Sequence, residues 1–476
     1  MTTELCYLSA EQALGLFKSG KLSPVELLTA QIKQAEAVNG RINAFVRDRF
    51  DAALALATTA ERAYRQGSPR PLEGLPVAVK DEHNIEGEVT TNGSLLLKSA
   101  VAAYTDPICE RLLSAGAIIL ARTATPEFSA NYVTWSKLWG VTRNPWNRAF
   151  TVGGSSGGSA AALAAGMATL ATGSDIGGSV RGPAAQNGVV GYKPPRGRVP
   201  KYPPANLIHY YSDGPLARTV RDVILFENII SGPHRCDMTS LKPKYDLPFF
   251  YDSLNGLRVG CCVQMGGKPV DVDVRKNTLM AAEVLQDLGA AVDEVDIGWD
   301  VEQANEAALT YLAFMFGGSV ELNFANHPEF PAACTSYVQY FVALGSKVTR
   351  AQYLRAMSYE TFMYTCVAKL FDTYDVLICP TVSIASLPAD FDYSKDRLIV
   401  DGKEDATLMG PLMTHYFNAL SRCPALSVPS GFDRNRVPTA IQIVGPSYEE
   451  ENVFRVAMAF EKAMPPLFIN DRVPTL

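Results

Sequence analysis

Apolar residues recur at helical spacing near the start of the chain, where Leu27, Leu28, Ile32 and Ala35 follow Ser23-Pro24-Val25-Glu26. That tetrad is a capping box with proline at the first helical position, so it predicts where the helix begins. Further on the pattern changes to short, unbroken apolar runs. Leu75 to Val79, Ala117 to Leu120, Leu257 to Val263, Val376 to Cys379, Ala425 to Val428 and Ala440 to Val444 read as buried strands. Helical stretches separate several of them, which predicts an α/β fold with a largely parallel sheet. The longest run of small apolar residues, Ala160 to Ala171, contains Gly166 and Thr169. It falls short of the roughly 20 residues needed to span a bilayer.

Composition narrows the class. Of 476 residues, 47% are hydrophobic and 19% charged, which excludes a disordered, collagenous or coiled-coil chain. The net charge of −6, with no long basic run, argues against a nucleic-acid partner. Nine irregularly spaced cysteines do not form a disulfide framework, and no Cys-x-x-Cys or His-x-x-x-His offers a metal site. The first residues carry Glu4 and no apolar core, so they do not read as a signal peptide. The expectation is a soluble, cytoplasmic protein that avoids membranes.

Two glycine-serine loops carry the candidate chemistry: Gly153 to Ser159, and Ser174 to Arg181 with Gly177-Gly178-Ser179 inside it. Glycines let backbone N–H groups crowd round an anion, and a hydroxyl beside such a nest is what acyl transfer requires. A phosphate cradle is the competing reading, but no Gly-Lys-Ser/Thr follows. The first loop also matches Gly-x-Ser-x-Gly at Ser155 and Ser156, as in the nucleophile elbow of α/β-hydrolases. An esterase of that kind needs a histidine base, for which His209, His234, His327 and His415 are the candidates. Ser156 and Ser159 read as caps of the helix that follows. A lysine base is the alternative. Lys80 ends the apolar run Gly74 to Lys80, and burial there would lower its pKa by the roughly 3 units a neutral amine needs.

Gly74 to Asp81, Gly153 to Ser159 and Asp175 to Arg181, continued through Gly191 to Arg198, together resemble the amidase signature family. Asn144-Pro145-Trp146, Gly214 to Asp222 and Pro424 to Gly445 extend the resemblance over most of the chain. It implies one domain over residues 1–476: an N-terminal helical part (1–70), a catalytic core (71–225) and a variable substrate-pocket region (300–370). The implied fold is α/β, with a mixed, mostly parallel central sheet covered by helices on both faces. The implied activity is hydrolysis of a carbon–nitrogen bond in a linear amide or a relative such as an anilide, carbamate or hydrazide.

Carried over by position, the resemblance makes Ser179 the nucleophile, Ser155 the cis-serine and Lys80 the base, the serines lying 24 residues apart. Backbone N–H groups of Ile176, Gly177, Gly178 and Ser179 would hold the oxyanion, with Asp175 and Arg181 supporting the loop. Ser129, Asn131 and Tyr132 would line the acyl pocket. No cofactor is implied; the expected partner is a small-molecule amide, with no nucleic acid and a homodimer as the family-based expectation. Gly182 and Asn187 stand where phenylalanine or glutamine and cysteine are more usual, and Pro195 where serine or threonine is common. These departures weigh against the amidase subunit of the tRNA-dependent amidotransferases, which stays a minor alternative. Eight aromatics between Tyr311 and Phe341, with His209, Tyr210 and Tyr211, suggest an aryl or bulky apolar acyl group. A binding protein that merely keeps the loops is the non-catalytic alternative.

Overall fold

A computed structural model describes residues 2–405 and 409–476. The first long helix is Pro24–Ile42, and it starts as its sequence predicts. Ser23 Oγ accepts from the Glu26 N–H at 3.1 Å, and the Ser23 N–H donates back to Glu26 Oε2 at 2.8 Å. Leu27, Leu28, Ile32 and Ala35 are its buried face.

The domain is built on one mixed sheet of eleven strands, flanked by helices. In spatial order the strands are Phe45–Asp48, Ile118–Thr123, Pro76–Lys80, Leu170–Asp175, Ser212–Ala217, Val190–Lys193, Ala425–Phe432, Pro438–Val444, Val376–Pro380, Arg258–Cys261 and Ala291–Glu294. All six strands expected from apolar runs are present. Strand Pro76–Lys80 runs parallel to both its neighbours, Ile118–Thr123 and Leu170–Asp175. A second parallel group joins Val376–Pro380, Arg258–Cys261 and Ala291–Glu294, with antiparallel pairs in the middle of the sheet.

Strand Leu170–Asp175, with sequence LATGSD, is buried throughout but carries no apolar alternation. Small and hydroxylated side chains fill it because helix Gly157–Ala164 lies close against the sheet, every residue of that helix being buried. At Gly158 a Cβ would sit 2.4 Å from the Ala124 nitrogen, so only glycine admits this approach. The helix stops at Ala164, and Leu170 and Ala171 of the same small-residue run already belong to the strand.

Candidate active site

The C-terminal ends of strands Pro76–Lys80 and Leu170–Asp175 lie side by side, the usual place for a site in a parallel α/β sheet. Lys80 is the last residue of its strand and is fully buried. Its Nζ lies 2.6 Å from Ser155 Oγ, 2.7 Å from Ser174 Oγ and 2.8 Å from Glu82 Oε2. Burial lowers the Lys80 pKa, with the Glu82 carboxylate opposing it. Burial would raise Glu82, but the Lys80 and Lys201 charges outweigh it and hold that carboxyl well below its ordinary value. Within the pair, the carboxyl therefore gives up its proton before the amine does.

The loop that begins at Gly153 places Ser155 on Lys80, and the Gly154–Ser155 peptide bond is cis. The two glycine-serine loops are tied together where the Ser156 N–H donates to the Ser179 carbonyl at 3.1 Å. Among the described residues Ser179 Oγ has no hydrogen-bond partner, so Ser155 contacts Lys80 but not yet Ser179. Ser156 occupies the N-cap position without capping through its side chain. Its Oγ instead meets the Ser174 backbone, and Ser159 Oγ bonds Thr172 O at 2.8 Å and Thr123 Oγ1 at 2.7 Å. The expected capping roles of Ser156 and Ser159 are thus replaced by ties from helix to sheet, their hydroxyls being taken up by Ser174, Thr172 and Thr123 of the neighbouring strands.

Asp175 and Arg181 hold the second loop. Both side chains are fully buried, and Arg181 Nη2 and Nε reach the two Asp175 oxygens at 2.8 and 3.0 Å. Asp175 also accepts from the N–H groups of Gly178 and Val180 at 2.9 and 3.1 Å. This corrects the expectation that Gly178 donates to an oxyanion, since its N–H already serves the Asp175 carboxylate. Gly178 is needed for another reason. Its φ is +123°, and a Cβ there would lie 1.8 Å from Thr414 Oγ1.

Ile176, Gly177 and Ser179 border a cavity together with Ser129, Asn131 and Tyr132. Thus of the nine residues singled out, six line the cavity, and Lys80, Ser155 and Gly178 are not among its lining residues. The remaining lining is apolar but for the Tyr393 hydroxyl: Ala130, Leu312, Phe316, Phe341, Tyr393, Met409 and Leu412. Asn131 Oδ1 accepts from the Val133 N–H at 3.1 Å, while its buried Nδ2 has no partner among the described residues. Phe128 and Ser129 both have positive φ, at 53° and 57°, a strained pair that turns Ser129 toward the site. Of the eight aromatics between Tyr311 and Phe341, only Phe316 and Phe341 reach the cavity. Tyr311 stacks on Tyr210 instead, with ring centroids 4.1 Å apart. His209 and Tyr210 turn to Glu360, whereas the Tyr211 hydroxyl lies between Glu82 Oε1 and Asp213 Oδ1, at 3.0 and 2.8 Å, with one hydrogen to share between them.

No histidine bonds Ser155 or Ser179 among the described residues. His415 is buried against Asn305, and His83, absent from the sequence-based candidates, bridges Thr172 and Asp213. An esterase-type histidine base therefore has no representative here. Glu82 and Ser174 are likewise outside the sequence-based set. Glu82 reaches Lys80 through the turn that follows the strand, closed by the His83 N–H on the Lys80 carbonyl at 3.0 Å, and no periodicity in the sequence announces it.

A sequence model of the Amidase family matches residues 26–454. The chain belongs to the amidase signature family. It is 32% identical over 486 aligned positions to a glutamyl-tRNA(Gln) amidotransferase subunit of Carboxydothermus hydrogenoformans, covering 96% of this chain and 98% of that one. A bacterial aryl acylamidase described as an amidase signature enzyme superposes with a TM-score of 0.89 at 29% identity, over 96% of each chain. The corresponding glutamyl-tRNA(Gln) amidotransferase subunit of Thermotoga maritima superposes at 0.78 with 26% identity, over 97% of this chain and 96% of that one. These relatives overturn one expectation. A small-molecule amide as sole partner, with no nucleic acid and at most a second copy of the chain, does not fit relatives named as one subunit of a glutamyl-tRNA(Gln) amidotransferase. The residues read from sequence gather around one cavity and the Lys80 amine, which does not reveal what docks outside it. Among the described residues no helix is long and apolar enough to cross a membrane.

Proposed function

We propose that this amidohydrolase works through an acyl-enzyme on Ser179, with Ser155 and Lys80 moving the proton, and that its pocket takes an aryl or other bulky apolar acyl group. The observation that carries the reading is the buried Lys80 amine 2.6 Å from Ser155 Oγ, beside a cavity bordered by Ser179. Ser179 Oγ attacks the acyl carbon and passes its proton to Ser155, while the proton of Ser155 goes to the lone pair of Lys80 Nζ. The carbonyl electron pair moves onto oxygen, where the N–H groups of Ile176, Gly177 and Ser179 face it. The C–N bond then breaks, its electron pair stays on nitrogen, and the proton returns by the same route to the leaving amine. Water repeats the sequence on the ester. In this reading Ser155 and Ser179 come within hydrogen-bond reach in the substrate complex, where catalytic hydrogen bonds commonly tighten.

The relay gives a direct test. Lys80→Met and Ser155→Ala each lower kcat/KM by about a hundred- to ten-thousand-fold, while His83→Gln and His415→Gln stay far nearer the parent. Loss with a histidine variant alone, with Lys80→Met active, would reverse the assignment.

Pocket chemistry supports the acyl preference. Among the described residues no charged side chain lines the cavity, and its polar side chains are Ser129, Asn131, Ser179 and the tyrosines Tyr132 and Tyr393. A charged acyl group would have to leave water there without a counter-ion. Benzoyl anilides are therefore expected to exceed acetyl anilides in kcat/KM by at least about tenfold, since one buried ring contributes about 1.5–3 kcal/mol. Equal rates would remove the preference.

A second reading, favoured by the full-length similarity to the amidotransferase relatives, is a chain that releases ammonia from an amide for a partner enzyme. Glutamine carries an ammonium and a carboxylate, for which the described cavity wall offers no counter-charge. Hydrolysis of glutamine by the purified chain, faster than any anilide, would favour that reading.

A further inference from the structure

Glu82 lies two residues beyond Lys80 and turns back onto it. Its Oε2 accepts from Lys80 Nζ at 2.8 Å, from Ser174 Oγ at 2.7 Å and from Ser129 Oγ at 2.8 Å, and its Oε1 accepts from the Tyr211 hydroxyl at 3.0 Å. Ser174 closes a triangle, because its Oγ also lies 2.7 Å from Nζ. Nζ thus meets three oxygens: Ser155, Ser174 and Glu82. An ammonium has three hydrogens to donate to them. A neutral amine has two hydrogens and a lone pair. Glu82 is a carboxylate that can only accept, and Ser174 already spends its own hydrogen on Glu82. Both must therefore take a hydrogen from Nζ, which leaves the lone pair aimed at Ser155.

We propose that Glu82, acting with Ser174, is a positioning residue that fixes the Lys80 amine with its lone pair toward Ser155 and stabilises the ammonium formed when the proton arrives. This rests on the reading of Lys80 as the base. The step adds no reactant: the proton leaving Ser155 forms the third N–H bond of Nζ, its electrons coming from the nitrogen lone pair. Ser129, on the cavity wall, links the same carboxylate to the acyl site.

The charged groups facing this pair are few. Asp213 lies beyond Tyr211, whose hydroxyl reaches it at 2.8 Å; His83 Nε2 is 3.0 Å and Lys201 Nζ 3.3 Å from the same carboxylate. Lys201 in turn faces Asp106 at 3.7 Å. Glu82 and Asp213 favour a charged Lys80, whereas Lys201 and burial oppose it.

The experiment is the pH profile of kcat/KM for an anilide turned over by the wild type. Because the active form has a neutral amine, Lys80 sets the acid limb. Glu82→Gln removes a contacting opposite charge, so the limb moves down by about 1–3 units. Its alkaline plateau also falls about tenfold, as the amine becomes a weaker and less directed base. Glu82→Asp keeps the charge and returns the limb toward the wild-type position. Tyr211→Phe, which keeps the ring but removes the one hydroxyl hydrogen that the two carboxylates share, moves the limb the other way and serves if Glu82→Gln does not fold. A limb unmoved in Glu82→Gln, or in Tyr211→Phe where that is the variant that folds, overturns the proposal while leaving the lysine base in place. A wild type that hydrolyses no amide overturns the reading of the site and this proposal with it.

Discussion

Ser179→Ala is expected to abolish turnover and to leave the melting temperature where it was. Ser179 sits at the cavity wall, and among the described residues its hydroxyl has no hydrogen-bond partner, so removing that oxygen breaks none of their hydrogen bonds. Its loss removes the only atom in the assignment that forms a bond to the acyl carbon. For a serine hydrolase, losing the nucleophile costs on the order of a millionfold in kcat. Oxyanion donors and pocket contacts survive and leave a residual rate above that in water. The measurement is anilide turnover by purified variant and parent, with fluorophosphonate labelling as an independent readout. Labelling at Ser179 in the parent and none in the variant is the expected pair of results. More than about one part in a thousand of the parent kcat would place the nucleophile elsewhere.

The parts of this site legible in the sequence are those fixed by local chemistry. The helix start at Ser23, the strand ending at Lys80 and the glycine-serine loops each depend on neighbours within a few residues, and each lies where the pattern puts it. The illegible parts are set by sheet register. Ser174 contacts Lys80 because two parallel strands pair Ala78 with Ala171, and no periodicity within LATGSD announces that pairing. The same holds for His83, whose role as a bridge depends on Thr172 and Asp213 from two other strands. The aromatic segment misled for a related reason. Its eight aromatics are interleaved with polar residues such as Glu321, Asn323 and Glu329, and only Phe316 and Phe341 face the cavity, while Tyr340 and Phe314 are exposed and Tyr311 packs elsewhere. Composition gives the presence of aromatic surface and not its direction. Gly178 shows the limit most sharply: paired glycines announce a tight turn, but not that Asp175 claims the N–H.

Asp175→Asn is expected to be the most destabilising single change in this loop. The carboxylate of Asp175 accepts from Arg181, Gly178, Val180 and Asn418, all buried, and these donors have no water to turn to. Asparagine keeps the shape but replaces one acceptor oxygen with an NH2 that must face other donors. It also leaves the Arg181 guanidinium buried without its counter-ion. Breaking a buried ion pair from one side costs about 3–5 kcal/mol, a large part of a total stability of about 5–15 kcal/mol. The pH dependence carries the same signature. Burial would raise the Asp175 carboxyl, but Arg181 and the other donors outweigh it and hold it down to about 2, below its ordinary value of 3.8. The folded pKa is thus the lower one. The stabilisation is complete above the ordinary value and is lost as pH falls toward about 2. Urea melts from pH 7 down to acid should therefore show a fall in the parent that the variant lacks. A double variant, Asp175→Asn with Arg181→Met, should regain part of the loss by removing the stranded cation. If Asp175→Asn unfolds within about 1 kcal/mol of the parent, the ion pair is not what holds the loop.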